Sequence, residues 1–151
     1  MTEASLSSPK DCLTRAAQFK DDGRDLLAIS NQWYAVAYFY GAYHMVRAAL
    51  MADPVFGELT RLNTFGKTLI PDDRQTSRHH GRIVAGQPRT PGVNDLVKML
   101  YPHIAIDYEQ LHSSSIAVRY GLGLGPYESA ALVKDFDHIA DAYVAGQLRA
   151  R

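Results

Sequence analysis

Phe39-Tyr40-Gly41-Ala42-Tyr43-His44-Met45-Val46-Arg47-Ala48-Ala49-Leu50 decides the fold. The stretch lies inside a longer run, Trp33 to Ala52, with no proline and one strong helix breaker, Gly41. Trp33, Val36, Ala37, Tyr40, Tyr43, Val46 and Leu50 recur three or four residues apart, the spacing of one helical face. About 20 residues at 1.5 Å rise make a helix roughly 30 Å long, enough to cross a small domain. So many aromatics and alanines, with so little charge, predict a helix buried on more than one side. It is the central helix.

The chain has 151 residues, which favours one domain over 1–151 and a core that needs neither disulfides nor metal. Sixteen basic and sixteen acidic residues cancel, so no global field draws the protein to nucleic acid or anionic lipid, although a local basic patch is compatible with this balance. The single cysteine, Cys12, cannot form an internal disulfide, and no Cys/His cluster has zinc-finger spacing. The amino terminus, MTEASLSSPKD, lacks the basic start and apolar run of a signal peptide. The central helix is a poor membrane span because it carries His44, Arg47 and four tyrosines. The expectation is a soluble, cytoplasmic protein with no membrane association.

Outward from the central helix, Ser8-Pro9 reads as a helix start, with Asp11 adding negative charge to the first turn. An apolar pattern from Leu13 to Ile29 continues that helix, and Gly23 marks a bend or short break. Ser30-Asn31 is a tight connection, which makes the two helices antiparallel neighbours. Asp53-Pro54 ends the central helix. From Val55 to Pro91, glycines and prolines punctuate the chain. A short helix is expected near Glu58 to Asn63, and a second from Thr76 or Ser77 carrying Arg78 to Ala85. Asn94 is the expected cap of a helix through Leu100, and Pro102 the point of restart before His103 to Tyr120. Gly121-Leu122-Gly123-Leu124-Gly125-Pro126 is a connection, since no strand precedes it and no Gly-Lys-Ser/Thr follows. Pro126 or Tyr127 opens a last helix whose polar face carries Lys134, Asp135, Asp137 and Asp141. No window alternates with period two. The fold class is therefore all-α, an up-and-down bundle of four main helices plus one or two short ones.

The central helix resembles the YYAAFHAARALL-type helix of HEPN domains, and Ala117-Val118-Arg119-Tyr120-Gly121 is similar to the end of their penultimate helix. The resemblance implies a bundle that dimerises, binds or cuts RNA in toxin–antitoxin, defence or stress systems, and often pairs with a nucleotidyltransferase. It also implies, in catalytic members, an arginine followed four to six residues later by a histidine near the last long helix. Ser115 stands where that arginine is expected, and positions 124 to 126 after Arg119 are Leu, Gly and Pro. The expectation is thus a non-catalytic module with no cofactor and no metal, a homodimer that binds a protein partner or RNA.

Two other readings stay open. One is a metal-independent endoribonuclease with a displaced site, for which His79, His80 and Arg119 are the catalytic candidates; Arg74-Gln75-Thr76-Ser77-Arg78-His79-His80 also has an Arg-to-His spacing. The other is a small-ligand binder using an aromatic cavity lined by Trp33, Tyr40 and Tyr43. Candidate binding residues are Tyr43, His44, Arg47, Arg78, Arg82, Arg119 and Tyr120. His44 and Arg47 share a helical face and, if buried, call for a carboxylate or carbonyl partner. His112 to Ser115 place hydroxyls on a helix, where they favour close packing or bonds to carbonyls.

Overall fold

The computed structural model describes residues 7–125 and 127–151. Six α-helices follow in order: α1 (Pro9–Ala28), α2 (Tyr34–Ala52), α3 (Leu59–Phe65), α4 (Val93–Leu100), α5 (Ala105–Tyr120) and α6 (Ser129–Val144). Short 3-10 turns occur at Pro54–Gly57, Pro71–Gln75 and Pro102–Ile104. Among the described residues the only extended pairing is one antiparallel bridge, Arg82 with Thr90. The protein is an all-α bundle, and among the described residues no helix is long and apolar enough to cross a membrane.

The α2 helix is the axis. Sixteen of its 19 residues are buried, and α1, α5 and α6 pack around it. The expected start of α1 is present: Ser8 Oγ accepts from the Asp11 N–H at 3.1 Å, with Pro9 in the first turn. At the turn into α2, Ser30 adopts φ 56° and Asn31 Oδ1 accepts from the Trp33 N–H at 3.0 Å. Gly41 stays in the helix interior, at about 1 kcal/mol relative to alanine, because a Cβ there would lie 3.0 Å from the Phe136 ring of α6. The single chain covers α2 by itself. The argument that its apolar faces need a second copy therefore loses its premise.

Four expectations are corrected. Gly23 does not break α1, which runs through it with the Tyr38 ring packed alongside. No helix forms over 76–85. The carbonyls of Arg78 and His79 instead accept from the Val93 and Asn94 N–H groups, at 2.8 and 3.1 Å, and so satisfy the start of α4. Asn94 is not the α4 cap; Gly92 is, and the Asp95 carboxylate reaches back to its N–H at 2.9 Å. Asp135 is not on a polar face but buried between α5 and α6. Burial and a hydrogen bond with Asp107 push its carboxyl up to about 7, while Asp107 also meets His138 Nδ1 at 2.7 Å.

The Asp53 carboxylate ties the far end of α2 to the rest of the chain. It is buried and accepts from the Val55 N–H at 3.0 Å, the Tyr101 hydroxyl at 2.9 Å and the Ala150 N–H at 2.8 Å. Only its role as a helix stop is visible in the sequence. Truncating it strands three buried donors, each at about 1 kcal/mol or more. Asp53→Ala is expected to lower stability by about 2 to 4 kcal/mol in urea denaturation. A change below about 0.5 kcal/mol would show that water replaces the carboxylate without loss.

Candidate functional site

Arg119 lies on the last turn of α5, half-buried against α2. Its Nη1 donates to the Tyr40 hydroxyl at 3.0 Å, its Nη2 to Ser115 Oγ at 3.3 Å, and its Nε to the Ser115 carbonyl at 3.3 Å. The guanidinium carbon also lies 5.5 Å from the Tyr40 ring centre and 5.2 Å from that of exposed Tyr120. None of these partners is an anion. Ser115, which stands where the resemblance calls for an arginine, holds the neighbouring arginine in place.

Beside this guanidinium, the 77–80 segment brings in two imidazoles. Tyr43, on α2, donates its hydroxyl to the Ser77 carbonyl and packs its ring 4.9 Å from His79. It thus faces the 77–79 segment. His79 is half-buried, 5.9 Å from the Tyr40 ring and 5.1 Å from that of His112. His80 is exposed and lies 5.3 Å from His112. The crossing of 79–80 over the α4 start is tight. A Cβ on Gly92 would sit 2.4 Å from the His79 carbonyl oxygen, so the position tolerates only glycine.

His112, on α5, lies alongside both imidazoles. It is 5% exposed, stacks on Phe39 at 4.6 Å, and accepts through Nδ1 from the Asn94 amide at 2.8 Å. Burial, then His79, His80 and Arg119, hold its pKa down to about 4. Burial first, with Arg119 and His80, lowers the His79 pKa too. Both rings are neutral at physiological pH, the state a base requires. His79 Nδ1, Asn94 Oδ1 and the Tyr108 hydroxyl are buried without hydrogen-bond partners among the described residues. Buried polar atoms are normally satisfied, so three unpaired ones around one imidazole pair are a feature of the site.

The positive charge continues along α2. Arg47 is 3% exposed, and its Nε and Nη2 have no partner among the described residues. His44 Nδ1 is also unpartnered. The carboxylate or carbonyl expected for this pair is replaced by ring contacts: Phe19 stacks on His44 at 5.7 Å, and Tyr43 lies 6.0 Å from the Arg47 guanidinium. Burial, Arg47 and Arg15 bring the His44 pKa down to about 4. Cys12 is buried nearby; burial raises its thiol pKa and Arg47 partly opposes this.

The other candidates lie apart. Arg78 donates to Thr90 Oγ1 at 2.9 Å and pins the loop, and Arg82 is exposed beyond the Arg82–Thr90 bridge. Arg74 lies 5.7 Å from the Phe56 ring and 3.5 Å from the Asp53 carbonyl, away from the imidazoles. The expected cavity of Trp33, Tyr40 and Tyr43 does not form: Trp33 lines a groove with Phe19, Leu26, Val36 and Ala37, without Tyr40 or Tyr43. Sequence reading missed His112 as a site member. The signal was its spacing, three and seven residues before Ser115 and Arg119, on one face of α5. Among the described residues, no group of three His, Cys, Asp or Glu side chains is placed to hold a metal ion.

Comparison with family models, characterised proteins and solved structures returned no match to this chain. The HEPN resemblance therefore rests on the α2 sequence and the 117–121 segment alone.

The histidine environments set a pH dependence. His44 and His112 resist protonation in the folded chain down to about pH 4, while in the unfolded chain they protonate near 6.5. The unfolded state then binds more protons, so stability is full above about pH 6.5 and falls as pH drops from there towards 4. Histidine-resolved NMR is expected to place both midpoints near 4 and the His79 midpoint below its ordinary value. A midpoint near 6.5 for His112 contradicts its burial against Phe39.

Proposed function

We propose that this cleft binds a phosphodiester of RNA and cleaves it without a metal, with Arg119 holding the phosphate and His79 taking the 2′-hydroxyl proton. The observation that carries the reading is a half-buried guanidinium with no anionic partner among the described residues, placed beside two imidazoles that burial keeps neutral. Beyond burial, the groups that lower these two histidines are Arg119 and neighbouring imidazoles, with no carboxylate among them, so a phosphate would supply an anion that the described residues do not. Perturbed titratable groups gathered at one place are a general mark of function.

The chemistry follows from the atoms present. Neutral His79 removes the 2′-hydroxyl proton, the oxygen attacks phosphorus, and a 2′,3′-cyclic phosphate forms as the bond to the 5′-oxygen breaks. Arg119 offsets the charge that grows on the phosphorane. The leaving 5′-oxygen takes its proton from His80, the exposed imidazole next in the chain. Ser115 and Tyr40 are positioning residues, since each holds Arg119 and neither is asked to transfer a proton.

A second reading, a non-catalytic module that binds RNA or a protein, is favoured by a separate observation. His112 is occupied by Asn94 and closed from solvent, which leaves the adjacent pair His79–His80 to do all acid–base work. The homodimer and the nucleotidyltransferase partner implied by the resemblance belong with this reading, as does a toxin–antitoxin, defence or stress setting in the cytoplasm.

Single-stranded RNA incubated with the protein in chelator is expected to yield 2′,3′-cyclic phosphate ends. His79→Ala and Arg119→Ala should each slow cleavage by about 10²-fold or more. Tight, Arg119-dependent binding with no strand scission would instead establish the binding-only module.

A further inference from the structure

A groove runs beside the cleft, between α1 and the start of α2. Phe19, Leu26, Trp33, Val36 and Ala37 give it apolar walls, Asp22 and Asp25 complete the lining, and its volume is about 400 Å³. That volume suits a small planar ligand. Groove and cleft share a wall. The Phe19 ring stacks on Tyr40 at 5.6 Å, and Tyr40 is the residue whose hydroxyl receives Arg119. Trp33 and Tyr40 are seven residues apart on one face of the helix, so they stand about 10 Å apart along its axis. A single nucleotide bridges such a distance between its base and the adjoining phosphate.

The two halves have opposite chemistry. The Arg119 guanidinium donates only to neutral groups, while Asp22 and Asp25 have no ion-pair partner among the described residues. Carboxylates repel a phosphate but accept N–H groups from the edge of a base. Trp33, 50% exposed, offers an indole face on which a base can stack. We propose that this groove is the nucleobase subsite of the cleft and that it selects guanine. Guanine alone carries two adjacent N–H donors, N1–H and N2–H, on its Watson–Crick edge, and these match the two oxygens of a carboxylate. The inference rests on the phosphodiester reading of the cleft. It adds a polarity, with the base drawn towards Trp33 and the phosphate towards Arg119.

Trp33 is the only tryptophan of the chain, so its fluorescence reports on the groove alone. The experiment titrates the protein with guanosine, uridine and their 5′-monophosphates, and follows RNA binding separately by anisotropy. Guanosine is expected to quench Trp33 and to bind about tenfold more tightly than uridine. The Asp22→Asn, Asp25→Asn double variant should lose that preference while keeping its helical circular dichroism. Arg119→Ala should weaken guanosine monophosphate and leave guanosine unchanged. Equal responses to guanosine and uridine, or a silent tryptophan, overturn the subsite; Arg119-dependent RNA binding that persists in that case leaves the cleft reading standing. Guanosine binding with no Arg119 effect on the monophosphate supports the subsite and overturns the phosphate assignment.

Discussion

Burial of uncompensated positive charge along one face of α2 is the constraint on which the rest of the structure turns. Arg47 sits inside the bundle with two nitrogens unpaired, His44 is half-buried above it, and Arg119 reaches the same helix from α5. Desolvating a guanidinium without a carboxylate costs several kcal/mol. A fold tolerates that only where a large core offsets it, and α2 with its sixteen buried residues supplies such a core. The tyrosines soften the cost. Their rings take up cation–π positions, and the Tyr40 hydroxyl accepts from Arg119. What they do not supply is negative charge, and the proposed phosphate site is built on that gap.

The Asp53 cluster and the proposed site lie at different places along the axis. At the carboxy-terminal end of α2, Asp53 is fully engaged by Val55, Tyr101 and Ala150. Along the middle, His79 Nδ1, Asn94 Oδ1 and the Tyr108 hydroxyl are left unpaired. Natural proteins accept local frustration of this kind mainly at functional sites, and compensate elsewhere. The segment that completes the cleft follows the same logic. Residues 78–80 carry no regular structure, yet the Arg78 and His79 carbonyls accept from the start of α4 and Gly92 passes beneath them, which fixes the path of the loop.

The helical fold was legible because α2 repeats its apolar residues at helical spacing with no competing signal, and because Ser8-Pro9, Asn31 and Asp53-Pro54 are strong local boundaries. The middle of the chain was not, and the reason is physical. Arg78 to Ala85 has a plausible helical composition, but its carbonyls are committed to α4, a tertiary demand that local propensity does not contain. Asn94 is a good cap by type; the side chain goes to His112 because α5 lies alongside. Asp135 looked like a solvated face residue because its partner Asp107 lies 28 positions earlier. At the site, His79, His80 and Arg119 were identifiable by chemistry, whereas their meeting with Tyr40 and His112 depends on how α5 crosses α2. Tyr43, named as a ligand residue, acts as the post that holds the 77–79 segment in place.

The central claim is that the surplus positive charge of this cleft exists to take a phosphodiester. NMR of the arginine Nε–H and histidine ring signals, recorded during titration with a 2′-O-methyl dinucleotide that cannot be cleaved, tests it most directly. The account predicts that Arg119 and His79 shift together in a saturable way, and that the His79 pKa rises because a bound anion favours the charged imidazole. Saturable binding that leaves both residues unmoved, or that shifts only exposed loop arginines such as Arg82, would contradict it.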